Sequence, residues 1–435
     1  MSKPFKPGEM IIEKINLSNF TRSTDKNLNE VVLEFSYYES LFSPTISASV
    51  ILNDASGLLN GFPIIGDEDL ELSFRNSTND DAIDVKLRSY KVGARTRTAE
   101  RAVVYPVFFA SQRAVRNPKT EVLSFYEGKI SDFIKTFPNF VEVEETEGSY
   151  RYVPTGETFF DTVKILGREA KSLQHRSSSY IFYELSDGYR FITLESLFNK
   201  PTAKKYYYLI GNVDREIPQD VIISKLEQVK SADLVEGMES GLYGNTTSAI
   251  DPLRKVFNSK TFNYFSRRSN DGFNATKHIP QAPSLLQSRR SSFAFGSETA
   301  HEKYFVSDLN DVAGIPYIKE YDPEAETFVR HRHQFAGVET SLRSQAKSIK
   351  YQISVPGDSS RHAGDIIEIL FPEPDATKSS LYQYDKYLAG RFLVTGVQHL
   401  YQTNKEYVTV MECVKDSLEE IVSNNLEIEQ GIGED

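Results

Sequence analysis

Apolar side chains recur at every second position in the first quarter of the chain: Val31, Leu33, Phe35 and Tyr37; Ile46, Ala48, Val50 and Leu52; Leu70, Leu72 and Phe74; Val103, Tyr105, Val107 and Phe109. One apolar face per strand predicts a half-buried antiparallel sheet or barrel. The polar run Arg75 to Asp84 predicts a long exposed loop between two of these strands. From about Val115 to Asn199 the period changes, with Ile130, Phe133, Ile134 and Phe137, then Phe159, Val163, Leu166 and Ala170, at helical spacing. Two short amphipathic helices follow, and then a hairpin across Tyr180 to Phe191 with Asp187-Gly188 as a type I′ turn. Strand-like runs return at 206–210 and 221–226, and the glycine-rich stretch Gly237 to Gly244 predicts an insertion boundary. Alternation resumes at Ile349, Tyr351, Ile353 and Val355 and continues to Met411 and Cys413, so the last barrel is discontinuous in sequence.

The two strand-rich regions share an order of events. Gly66-Asp67 leads into a strand ending in Phe74, and Gly364-Asp365 into one ending in Phe371. Ser89 to Gly93 aligns with Arg391 to Thr395, and Val103 to Phe109 with Tyr407 to Cys413. Any two antiparallel sheets resemble one another under a two-letter pattern; the shared Gly-Asp start is what favours a duplication. Three chains that each carry the barrel twice would present six similar barrels around one axis, a ring able to mate with a sixfold one.

The chain has 435 residues, which predicts two to four domains. No apolar run approaches the roughly 20 residues of a spanning helix, so no stable membrane insertion is expected. The opening Met-Ser-Lys-Pro-Phe-Lys-Pro-Gly is charged and Pro-rich, against a secretory signal. The single cysteine, Cys413, excludes an internal disulfide or a thiolate metal cage. With a net charge of −11, the surface as a whole repels nucleic acid.

Four stretches carry a family resemblance: Leu41 to Asp54 with Pro63 to Asp67; the helix-then-hairpin from Thr158 to Phe198; Gly237 to Asp251; and Leu388 to Asp416. In them the chain resembles the baseplate hub proteins of contractile-tailed phages, which are related to phage late control proteins and to injection-machine hubs. The resemblance implies a mainly β fold with α+β parts: two similar antiparallel, tube-like β-barrel domains, an α+β domain and an inserted segment. The boundaries are 1–114 for the first barrel, 115–205 for the α+β domain, 206–235 with 343–418 for the second barrel, 236–342 for the insertion and 419–435 for an acidic tail. It also implies a homotrimer between tail-tube or tube-initiator proteins and a central spike, with a channel for tape-measure protein and for DNA that passes without specific binding. The place would be the virion's tail baseplate, assembled in the host cytoplasm. No family motif is evident between Lys255 and Thr340.

The search for chemistry finds no nucleotide-binding loop, zinc-protease motif or nucleophile elbow, and the chain is expected to be no enzyme and to hold no cofactor or metal. His331 and His333 share a strand face but lack further ligands; a surface pair is the plainer reading. The adjacent acids Glu144 and Glu145, or Asp80 and Asp81, are expected to be solvated rather than to flank a sugar-cleaving cleft. Arg254 to Arg290 carries eight basic residues against Asp271 among several aromatics, including Arg267, Arg268, Arg289 and Arg290. Such a stretch docks on an acidic neighbour, binds single strands or lies inert on the surface. After Lys415 the chain has no basic residue, and Glu427 and Glu429 are candidate contacts to a subunit or spike, with a solvated tail as the default. Two other functions fit less well: a peripheral tail protein binding host polysaccharide through aromatic faces, and a cell-wall hydrolase.

Overall fold

The computed structural model describes residues 8–19, 24–55, 57, 62–78, 81–99, 102–115, 125–175, 177–209, 217–231, 233–251, 256–263, 278–279, 302–306, 317–322, 327–329, 335–372, 384–385, 388–403, 407–415 and 418–419. The fold is mainly β, and fourteen strands join in one sheet. The first eight are β1 (Met10–Asn19), β2 (Thr24–Asn27), β3 (Val32–Ser40), β4 (Ser47–Asp54), β5 (Glu68–Asn76), β6 (Ile83–Val92), β7 (Thr96–Ala99) and β8 (Ala102–Ser111). The other six are β9 (Thr202–Tyr207), β10 (Lys225–Lys230), β11 (Ile349–Pro356), β12 (Ile366–Leu370), β13 (Gly390–Gln402) and β14 (Val408–Lys415). β1 begins before the first strand expected from sequence, with Ile15 and Leu17 buried along it.

The sheet contains one arrangement twice. Strands pair in the order β3-β4-β8-β6-β5-β1 in one half and β10-β11-β14-β13-β12-β9 in the other, with the same sequence of chain segments in each. Both halves carry a bulge at the same point: between Ser89 and Lys91 opposite Phe109 and Phe108, and between Val394 and Gly396 opposite Cys413 and Glu412. The last strand departs from the repeat, since β1 runs antiparallel to β5 whereas β9 runs parallel to β12.

Hydrogen-bond register also corrects the sequence alignment. Ser89 corresponds to Val394, not Arg391, because the bulged residue resets the alternation in a way that a two-letter pattern cannot see. Leu70 and Leu72 then match Ile367 and Ile369, and Phe74 matches Phe371.

Each half encloses its own core. Leu17, Phe35, Tyr37, Val50, Phe74 and Phe109 fill the first, and Phe35 and Phe74 meet across it at 5.2 Å between ring centres. Tyr206, Ile353, Ile369, Phe392, Val394 and Met411 fill the second, where Tyr351 meets Phe371 at 5.7 Å. Beyond the ladders, Leu28 N–H reaches the Ile15 carbonyl at 2.9 Å, extending the β1–β2 pairing, and Ile223 N–H reaches the Tyr207 carbonyl at 2.9 Å beside the bridge of Tyr207 with Ile222. One cross-strand pair is conserved in volume but reversed in order, Ala48 opposite Phe109 in the first core and Tyr351 opposite Cys413 in the second.

Between the halves in sequence lies a smaller unit. Helices Ile130–Lys135 and Phe159–Glu169 pack on the hairpin Tyr180–Leu185 and Gly188–Thr193 through Ile134, Val163, Leu166 and Phe191. Thr158 caps the longer helix by accepting the Asp161 N–H. The hairpin turn falls on Ser186 and Asp187, neither at positive φ, and Gly188 closes the ladder opposite Leu185. A type I′ turn centred on Asp187-Gly188 is therefore not what forms. The polar run after Arg75 also differs from expectation, because β5 continues to Asn76, which is buried. In the insertion, strand Gly244–Asp251 pairs with Val256–Asn263 and with Glu302–Val306, and helix Ala336–Gln345 leads back to β11.

Candidate functional site

The place where the chain joins its two halves carries a buried polar network. Strand β13 is 13 residues long and serves both: Gly390 to Leu393 pair with β12, while Gly396 to Gln402 pair with β3. The sheet is thus continuous from one half to the other.

Beneath this seam, charged side chains are buried with partners far away in sequence. Glu39, on β3, receives the Tyr37 hydroxyl at 2.8 Å and the Ala363 N–H at 3.1 Å, and its carboxylate oxygens lie 3.2 Å from His362 Nδ1. Burial pushes the Glu39 carboxyl upward, but the charge and hydrogen bond of His362 outweigh it and hold the group below its ordinary range. For His362, burial alone would lower the pKa, yet Glu39 raises it. His399 faces the first core from β13, with Tyr407 Oη at 2.7 Å from its Nδ1, and burial drives its pKa down to about 4.

The segment 357–365 fastens the second half to the first. Asp358 meets Lys204 Nζ at 3.0 Å, Arg361 at 3.5 Å and the Ser360 hydroxyl at 2.6 Å. Burial would raise its pKa, but the Ser360 hydrogen bond and then the two cations bring it to about 2. Asn76 of the first half donates to the Gly357 carbonyl at 2.6 Å, its N–H reaches Ser359 Oγ at 3.1 Å, and Ser359 Oγ donates to the Asp81 carbonyl at 2.7 Å. A Cβ on Gly357 would lie 1.9 Å from Tyr407 Cδ1, so a glycine is required there.

A cleft of about 780 Å³ lies between the first half and the helix-hairpin unit, walled by Lys14, Glu71, Arg113, Asn139 and Tyr189. Of the charges in its wall, Lys14 and Lys86 pair with Glu71, and Arg113 pairs with Glu184 at 3.2 Å. Glu184 also takes the Ser111 hydroxyl at 2.6 Å and the Ile46 N–H at 3.2 Å. This carboxylate joins the first half to the helix-hairpin unit.

Glu144 is not the solvated acid expected from its neighbour Glu145. It collects the hydroxyls of Ser172, Thr193 and Ser196 at 2.5, 2.8 and 2.7 Å, and the Thr193 N–H at 2.9 Å. Arg267, Arg268, Arg289, Arg290, Glu427 and Glu429 lie outside the described residues, as do His331 and His333. Among the described residues, no three His, Cys, Asp or Glu are grouped to hold a metal. Sequence reasoning missed Glu39, Asp358, His362 and His399; the Gly364-Asp365 motif that follows Asp358 and His362 was the available signal.

No family model matches the chain. It is 21% identical over 435 residues to the probable baseplate hub protein gp334 of Vibrio phage KVP40, covering 94% of each chain. Its fold resembles that of the tail protein from Neisseria meningitidis MC58, with a TM-score of 0.52 and 8% identity over 93% of this chain and 96% of the other. The 43 kDa tail protein of prophage MuSo2 from Shewanella oneidensis gives a TM-score of 0.52 at 9% identity, over 93% and 98%.

Proposed function

We propose that this chain is a baseplate hub, a structural component of a contractile phage tail with no reaction of its own. The observation that carries the reading is a sheet that repeats one strand order twice within a single chain, together with likeness to a baseplate hub over nearly its whole length. A protein made of two similar units suits a place where threefold order must meet sixfold order. In this reading three copies form a homotrimer whose six units continue a hexameric tail tube or its initiator, and whose far side seats a trimeric spike.

The finer features belong to the same proposal. The first barrel takes residues 1–114, the second 206–235 with 343–418, and the α+β domain 115–205, with the insertion and acidic tail at the periphery. The ring encloses a channel for tape-measure protein and DNA, and an acidic chain suits it because like charge lets a polyanion slide. The basic residues Arg267, Arg268, Arg289 and Arg290 and the acidic Glu427 and Glu429 are assigned to protein contacts within the baseplate, after assembly in the host cytoplasm. Light scattering tests the reading: the expected mass is that of three chains, rising on addition of the spike encoded beside it. A monomer under both conditions overturns it.

A further inference from the structure

The junction between the two halves is made once inside the chain, and the repeat shows where it is left unmade. Within the chain, the distal part of β13 lies between β14 and β3. In the repeat, the counterpart of distal β13 is β7, and the counterpart of β3 is β10. Among the described residues, β7 has β8 as its one strand neighbour and β10 has β11. Both edges therefore keep a row of outward backbone groups, which a matching strand can satisfy.

We propose that β7 of one protomer pairs antiparallel with β10 of a second copy of this chain, repeating between chains the β13–β3 junction made within each. The number of copies in the ring rests on the hub reading; the pairing itself follows from the repeat. Head-to-tail contacts of this kind form a ring where the rotation between copies closes.

The internal junction also gives the register. There Leu400 lies opposite Ser36, Tyr401 opposite Phe35 and Gln402 opposite Glu34. Through the shared ladders with β8 and β14, Leu400 corresponds to Thr96, and through β4 and β11, Phe35 corresponds to Leu226. Thr96 then faces Glu227, Arg97 faces Leu226 and Thr98 faces Lys225. No like charges stand opposite one another, and the two threonines favour a strand. Two large exposed side chains sit on these strands or their continuation, Val229 on β10 at 52% and Tyr90 on β6 at 58%. Val229 lies on the edge strand itself, and Tyr90 on the strand that β7 continues.

Cross-linking of the full-length chain tests the register. T96C and E227C combined, after mild oxidation, should give a covalent ladder ending at the size of the assembly on a non-reducing gel, and neither single variant should. The native Cys413 is buried and contributes no background. Independently, Val229→Asp and Tyr90→Asp should weaken self-association at least tenfold by light scattering while the monomer's unfolding transition is unchanged. These two variants also decide the matter if the cysteine pair fails to fold. An assembly of unchanged mass in both aspartate variants, with no cross-link from this pair or from T98C with E227C, overturns the seam and leaves the hub reading standing. A chain that stays monomeric alone and with the spike defeats both.

Discussion

Gly357 shows how closely the two halves are fitted at the level of one atom. An added methyl group would be placed 1.9 Å from the Tyr407 ring, and Gly357 N–H is bonded to the Tyr407 carbonyl at 2.9 Å, so neither side can move freely. Gly357→Ala should lower stability by about 3 kcal/mol, the upper end for overpacking, read as a lower urea midpoint at unchanged slope. The neighbouring ionisable groups set a pH dependence whose sign can be worked out. His399 takes up a proton near pH 6.5 when unfolded but only near pH 4 in the fold. Between these values the unfolded state binds the extra proton, and stability falls by about 3 kcal/mol in all as the pH drops. Glu39, held low in the fold, acts in the same direction at more acid pH. His362 has the opposite sign: its contribution is complete below pH 6.5 and fades as the pH rises through its raised value. Unfolding midpoints should therefore decline from about pH 6.5 towards pH 4, and His399→Gln should flatten that limb. None of these residues was legible in the sequence as a group, because Glu39 lies 323 positions from His362 and only the fold brings them together.

At the scale of strands and helices the sequence was more readable, and the reason is periodicity. The helices at Ile130 and Phe159 and the strands holding Leu70, Val107, Ile353 and Met411 lie where apolar spacing predicts. What spacing cannot report is an unpaired residue, so the bulges at Tyr90 and Thr395 hid the true match of β6 with β13. The hairpin turn at Ser186 escaped for a similar reason: an Asp-Gly pair suits more than one turn, and the ladder register decides. The reversed pair Ala48–Phe109 and Tyr351–Cys413 implies that each core fixes the summed volume at this level rather than the residue on either strand. Ala48→Phe alone should cost about 1–3 kcal/mol by overpacking, and Phe109→Ala alone about 3–5 kcal/mol by leaving a cavity. The double variant should be less destabilised than the sum by about 1–2 kcal/mol, measured by a thermodynamic cycle on urea unfolding. Strict additivity would show that the two sites do not share one space.

For the whole molecule, the informative feature is that the second half is assembled from segments on both sides of an insertion. β9 and β10 precede it and β11 to β14 follow, yet one core unites Tyr206 with Ile353 and Met411. The sequence exposed this discontinuity because strand alternation stopped near Val235 and resumed near Ile349, while the basic stretch between them carried no period to read. The described ends of the insertion meet: a Cβ on Gly337 would be 2.9 Å from the Phe262 Cβ, and Asn245 Nδ2 donates to the Gly337 carbonyl at 2.9 Å. Excising residues 264–334 and joining Asn263 to Phe335 with a short Gly/Ser linker therefore asks the chain to close only a small gap, at low entropic cost. The shortened chain should keep a cooperative thermal transition and a β-type circular dichroism spectrum, with a lower midpoint because strand Tyr150–Val153 loses its neighbour Tyr317–Asp322. Since β7 and β10 are both retained, self-association should survive the excision, whereas the proposed binding to an acidic partner through the arginines at 267, 268, 289 and 290 should be lost. Loss of the cooperative transition would instead place the insertion within the folding core and remove the view that the two halves alone define the molecule.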